Sequence, residues 1–125
     1  MLYNFIIVDD NEYFLDLMCK TTQNIINKNN LKCKIHKFND YNNDFFDIIH
    51  KHMENRIIIL DIETPSNSGI NIASKIRQFD DDSIIIFVSA YEENYLRAIV
   101  KSDTNYFCTL AKDNLEYDLQ TKLQK

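Results

Sequence analysis

Three short, almost wholly apolar runs each stop on a residue suited to phosphate or metal: FIIV before Asp9-Asp10, RIIIL before Asp61 and SIIIFV before Ser89. Runs that short and that apolar read as strands covered on both faces, since a strand with one wet face alternates apolar and polar residues. Such strands belong to parallel sheets, and open α/β folds place their chemistry at the C-terminal ends of those strands. The three runs therefore predict one shared site.

The segments between the runs supply the covering helices. Phe14, Met18, Thr22, Ile25 and Ile26 fall near helical spacing, so a helix is predicted from Asn11, as N-cap, to about Asn27. LKCKIHKF alternates apolar and polar residues and suits an edge strand. A second helix follows through Phe45, Ile48, Ile49 and Met53, and a third carries Ile72, Ala73, Ile76 and Phe79. A fourth runs through Tyr95, Leu96, Ile99 and Val100. NYFCTL forms a fifth strand, and Leu115, Leu119 and Leu123 stripe a last helix. Strict β-α alternation implies right-handed crossovers and a sheet covered on both faces. The predicted fold is α/β, a flavodoxin-like doubly wound (βα)5 sandwich with a five-stranded parallel sheet of order 2-1-3-4-5. That order has its switch point between strands 1 and 3, which end on Asp9-Asp10 and Asp61.

Composition bounds the function. With 125 residues, 45% hydrophobic and 26% charged, the chain describes one globular domain spanning 1–125. A net charge of -5 argues against nucleic-acid or membrane binding by this domain, because counterion release needs clustered Lys and Arg. MLYNFIIVDD turns acidic too soon for a signal peptide, and no apolar run is long enough to span a bilayer. Cys19, Cys33 and Cys108 lack CxxC spacing and read as reduced thiols, so the chain reads as cytoplasmic.

Carboxylates gathered on one strand edge repel one another, by roughly 4 kcal/mol per pair at ~4 Å and an effective dielectric of about 20. A hard divalent cation relieves that repulsion, and magnesium suits oxygen-only ligands shared with phosphate. Asp10 is predicted as a direct ligand, Asp9 as direct or through water, and Asp61 as contributing one oxygen. An Asp61 with an ordinary pKa of about 3.9 would be ionised at neutral pH and able to attack a phosphoryl group. Asp80-Asp81-Asp82 precedes a strand, so it belongs to the opposite edge and reads as a solvated turn. His50 and His52 are too close in sequence to share a helix face as a metal pair. Phe45, Phe46, Tyr91 and Tyr95 read as core or partner-face packing.

These motifs resemble the receiver domains of two-component response regulators. The resemblance covers the chain through IIVDDN at 6–11, LDIETPSNSG at 60–69, FVSA at 87–90 and KDNLEYDL at 112–119. In receivers the phosphorylated Asp is followed by a Pro and then a Gly at the spacing of Asp61, Pro65 and Gly69. The resemblance implies that Asp61 is the phosphoacceptor, Ser89 the switch hydroxyl, and Asp9, Asp10, Asp61 and the Glu63 backbone carbonyl the Mg2+ ligands. Receivers also carry a phosphate-pairing Lys three positions after an aromatic. From Tyr106 that position is Thr109 and from Phe107 it is Leu110, so Lys112 is assigned the role from KDNLEYDL, which resembles the LytR/AlgR class. The switch aromatic is Tyr106 or Phe107, while Lys101 reads as a solvated helix charge.

The resemblance further implies a sensor histidine kinase as phosphodonor and an output surface of helix 4, strand 5 and helix 5, which also suits a homodimer. Any DNA binding would belong to a LytTR output domain beyond Lys125. Two other readings compete. One is a non-phosphorylated pseudo-receiver. The other is a haloacid-dehalogenase-type phosphatase, which IIILDIET resembles, with Glu63 as the second acid.

Overall fold

Five parallel strands alternate with helices along the chain: β1 (Leu2–Val8), α1 (Glu12–Lys28), β2 (Lys32–Phe38), α2 (Asn43–Ile49), β3 (Arg56–Asp61), α3 (Gly69–Arg77), β4 (Ile84–Ser89), α4 (Glu92–Lys101), β5 (Cys108–Ala111) and α5 (Leu115–Leu123). The computed structural model describes residues 2–90 and 92–123, with the side chains of Glu92, Glu93, Asn94 and Leu96 left out. Tyr91, read from the sequence as a packing aromatic, lies outside the described residues. The strands pair in the order β2-β1-β3-β4-β5, as the sequence pattern predicted.

Alternate residues of the central strands face opposite layers. Ile6, Val8, Ile58 and Leu60 pack with Phe45, Ile72 and Ile76 on the side of α2 and α3. Phe5, Ile7 and Ile59 pack with Leu15, Met18, Leu115 and Leu119 on the side of α1 and α5. Both faces are dry, which is why the runs contain almost no polar residue. The edge strand β2 is only partly buried, in keeping with its alternation. Asn11 caps α1, its side chain accepting from the Phe14 N–H.

Three elements are shorter than the sequence pattern suggested, and each has a guanidinium or its partner at the point of departure. Helix α2 stops at Ile49, leaving Met53 outside, because Arg56 Nη1 bonds the carbonyls of Ile49 at 2.9 Å and Lys51 at 3.1 Å. Helix α3 stops at Arg77, and Phe79 stacks on His50 with ring centroids 4.6 Å apart. The turn after α3 brings Asp80 onto Arg56. Strand β5 starts at Cys108, not Asn105, because Arg77 holds the carbonyls of Thr104 at 2.6 Å and Asn105 at 3.1 Å and Asn105 takes φ 50°.

Asp80 corrects the reading of its cluster as a solvated turn. Asp81 and Asp82 are exposed, but Asp80 forms an ion pair with Arg56 in which both side chains are nearly buried, at 11% and 6% exposure. Burial alone would raise the Asp80 carboxyl. Hydrogen bonds from Ser83, Arg56 and the N–H groups of Ser83 and Asp82 outweigh it and hold the pKa well below the usual carboxylate range. A group with a depressed folded pKa adds stability above its unfolded value and loses it as pH falls toward the folded one. Asp80→Ala should therefore cost about 3 kcal/mol in urea melts at neutral pH, because it strands a buried guanidinium. The gap between parent and variant should narrow as pH falls below about 4; a gap that stays constant into acid would show that the carboxylate charge is not what matters.

Candidate functional site

The ends of β1 and β3 lie side by side at the switch point, with the ends of β4 and β5 beyond them. Asp9 and Asp61 are fully buried and Asp10 is exposed. One oxygen from each of the three lies within 4.8 Å of the others. Each buried carboxylate is oriented by a nearby N–H of its own chain: Asp9 Oδ1 accepts from Asn11 at 2.9 Å and Asp61 Oδ1 from Glu63 at 3.2 Å. Their second oxygens are buried and lack a well-formed hydrogen bond.

Those second oxygens face Lys112. Its Nζ is 3.0 Å from Asp9 Oδ2 and 3.4 Å from Asp61 Oδ2, and it bonds Asp9 Oδ1 at 3.2 Å. The ring of Phe14, on the first turn of α1, lies 5.1 Å from the same nitrogen. Lys112 arrives there because β5 runs to Ala111, paired with Ser89, so the next residue sits at the sheet edge. Thr109 therefore occupies the third position before this lysine, and both candidate aromatics precede β5. Tyr106 is half-buried against Phe87, with centroids 5.6 Å apart, while Phe107 is 56% exposed.

Ser89 ends β4, is buried, and donates to Glu63 Oε1 at 2.5 Å. The sequence reading gave Glu63 a metal-ligand role through its carbonyl and, in the phosphatase alternative, a role as second acid; here its side chain accepts from Ser89. Gly69, the only glycine in the chain, opens α3 without a positive φ. A Cβ there would lie 2.4 Å from the Asp61 carbonyl oxygen and 3.1 Å from Tyr41 Oη, so close approach is what requires glycine. Tyr41, which sequence reasoning passed over, is buried in the β2–α2 loop and donates its hydroxyl to the Asp61 carbonyl at 2.7 Å. A tyrosine amid Asn and Asp carries no periodic signal, so only its place in space reveals it.

The expectation of an ordinary Asp61 pKa is not met. Burial, and then the charge of Asp9, push Asp61 up to about 8 despite Lys112 and the Glu63 N–H. Burial also raises Asp9, while the neighbouring acids outweigh burial and raise Lys112. The site holds more negative charge than one ammonium neutralises. Converging carboxylates, two of which have a buried second oxygen without a hydrogen bond, fit a hard divalent cation such as Mg2+.

Residues 5–124 match the family described as the response regulator receiver domain. The chain belongs to that family. It is 40% identical over 60 residues to the sensory transduction protein LytT of Oceanobacillus iheyensis, a match covering 46% of this chain and 24% of that protein. Among solved structures it is similar to the response regulator TrrA of Thermotoga maritima in complex with Mg(2+)-BeF, at TM-score 0.76 and 20% identity over 98% of this chain and 96% of that one. A LuxR-family DNA-binding response regulator from Staphylococcus aureus is similar at the same TM-score of 0.76 and 20% identity, again over 98% of this chain and 96% of that one. At these identities the structural likeness establishes the fold. Among the described residues, no helix is long and apolar enough to cross a membrane.

A folded pKa raised above its unfolded value means that the folded chain keeps the proton longer, so Asp61 subtracts stability as pH rises from about 4 to about 8. A cation at the site competes with that proton. Magnesium affinity, followed by tyrosine fluorescence, should therefore rise several-fold between about pH 6.5 and 8.5 and then level off. Affinity that does not change over this range would show Asp61 to be ionised throughout.

Proposed function

We propose that Asp61 accepts a phosphoryl group from a sensor histidine kinase in a magnesium-dependent reaction, and that the change alters the surface of α4, β5 and α5 that governs an output. The observation that carries this reading is the convergence of Asp9, Asp10, Asp61 and Lys112 from separate strand ends on one edge. Asp9, Asp10 and Asp61, with the Glu63 carbonyl by family resemblance, would hold the ion. When bound, the ion would supply positive charge to the transferring phosphoryl group.

The chain's own residues account for the rest. A carboxylate oxygen of Asp61 forms the new P–O bond as the P–N bond to the kinase histidine breaks, and the released imidazole nitrogen keeps the electron pair. Lys112 stays paired to the site and compensates charge gained by the phosphoryl oxygens. Ser89 is the switch hydroxyl, reaching a phosphoryl oxygen by leaving Glu63. Tyr106 is the aromatic on the core side and serves as the switch aromatic in preference to Phe107. The likeness to LytT supports a transcriptional output through a LytTR domain, with DNA binding confined to that domain and the receiver pairing through α4, β5 and α5. The setting is the cytoplasm, and the receiver turns over no substrate beyond its own phosphoryl group.

Asp61→Asn, nearly isosteric, is expected to abolish both phosphorylation by acetyl phosphate and formation of a magnesium-dependent beryllofluoride adduct, with the thermal midpoint retained. Acid-labile phosphate recovered on the variant at the parental rate would overturn the assignment. A parent that takes neither magnesium nor beryllofluoride would be a pseudo-receiver, and repeated turnover of a phosphomonoester would make it a hydrolase.

Lys112→Ala should slow phosphorylation by about tenfold or more, as loss of a preorganised charge partner does. Lys101→Ala should leave the rate within about twofold, because an exposed helix charge contributes little. Equal effects from the two would place the cation elsewhere.

A further inference from the structure

On its β1 side the strand ladder stops short of the phosphoacceptor, while on the other side Asp61 pairs with Val88 of β4. Register between β1 and β3 ends at Val8↔Leu60, so the Asp61 carbonyl needs another partner, and a buried carbonyl left without one is costly. Tyr41 supplies it from the β2–α2 loop at 2.7 Å. Its ring is 5% exposed and packs edge-on against Phe45 at 5.1 Å, so the hydroxyl has little freedom to leave.

The neighbouring peptide groups are fixed as well. The Ile62 N–H donates to the Val88 carbonyl at 2.9 Å, and the Ile62 carbonyl accepts from the Gly69 N–H at 3.0 Å. Both ends of the Asp61–Ile62 peptide plane are therefore held, one by β4 and the other by Tyr41. The same loop grips again further on, where Asp40 Oδ1 accepts from Ser66 Oγ at 2.6 Å. Two adjacent residues, Asp40 and Tyr41, thus clasp the turn out of β3, Tyr41 at the last residue of the strand and Asp40 past Pro65.

We propose that Tyr41, supported by Asp40, is a positioning residue for phosphoryl transfer: by holding the Asp61 main chain from behind, it aims the carboxylate at the phosphodonor. This rests on the phosphoacceptor reading given above. Tyr41 touches no reacting atom, and its effect passes through the peptide plane to the side chain. A peptide that can tilt lets the carboxylate leave its attack geometry, which slows the chemical step and leaves donor binding in place.

The test compares parent, Tyr41→Phe and Ser66→Ala, the last an exposed position whose replacement leaves the core untouched. Acetyl phosphate is the donor at saturating magnesium; its P–O bond to the acetyl oxygen breaks as the Asp61 P–O bond forms, releasing acetate. Tyr41→Phe keeps the ring and is expected to lower the maximal phosphorylation rate by about fivefold to tenfold, the equivalent of one hydrogen bond. The donor concentration for half-maximal rate and the magnesium dissociation constant should each stay within about twofold. Ser66→Ala should lower the rate by about twofold, and the double variant should fall below either. A Tyr41→Phe rate within twofold of the parent, or a rate loss matched by an equal loss of magnesium affinity, would overturn the proposal.

Amide hydrogen exchange separates failure of the clasp from failure of the phosphoacceptor reading, since it needs no phosphorylation. Exchange at Ile62 and Gly69 should quicken at least fivefold in Tyr41→Phe, even if the parent proves unable to take a phosphoryl group. Unchanged exchange there would overturn the clasp whatever the chemistry does.

Discussion

Two carboxylates buried beside one ammonium set the terms for the rest of the molecule. Asp9 and Asp61 are fully buried, and Lys112 lies within ion-pair reach of both. Burying charge is tolerated only where partners surround it. That demand explains the N–H groups of Asn11 and Glu63 aimed at one oxygen of each carboxylate, and the ring of Phe14 close to Lys112. It also explains why the protein's own groups leave Asp61 far from an ordinary carboxylate, and why a divalent cation fits so directly.

The sheet makes that concentration of charge tolerable by being apolar everywhere else. Ile6, Ile7, Ile58, Ile59, Ile85 and Ile86 fill the middle of the sheet and are fully buried between the two helical layers. At the opposite edge the charge is settled internally: Arg56 meets Asp80, Ser83 and two carbonyls that end α2. One edge of the sheet thus holds charge in excess and the other holds it in balance. The proposed phosphoryl transfer belongs to the first.

Much of this was legible in the sequence because it is written in period and position. The buried strands declare themselves by unbroken apolar runs, and the 2-1-3-4-5 order follows from alternation, so Asp9, Asp10 and Asp61 could be brought together before any coordinates. Lys112 was harder, since its distance from Tyr106 does not match the family spacing. The structure shows why: Arg77 keeps residues 104 and 105 out of the ladder and the strand runs on to Ala111. Tyr41, the Arg56–Asp80 pair and the contact between Glu63 and Ser89 were not legible. Each joins residues from different loops or elements, and no local pattern reports a contact made only after the chain has folded.

The bond from Ser89 to Glu63 has a consequence for how sharply such a domain can switch. A hydroxyl has one proton to donate, and here it is given to a carboxylate oxygen, a strong acceptor. On the proposed role of Ser89, capture of that hydroxyl by a phosphoryl oxygen would trade one charged acceptor for another, and its driving force would be the difference between them. On that proposal Glu63 would act as a counterweight on the balance between resting and engaged states. Its replacement by a weaker acceptor would tilt that balance without touching any group that carries out the transfer.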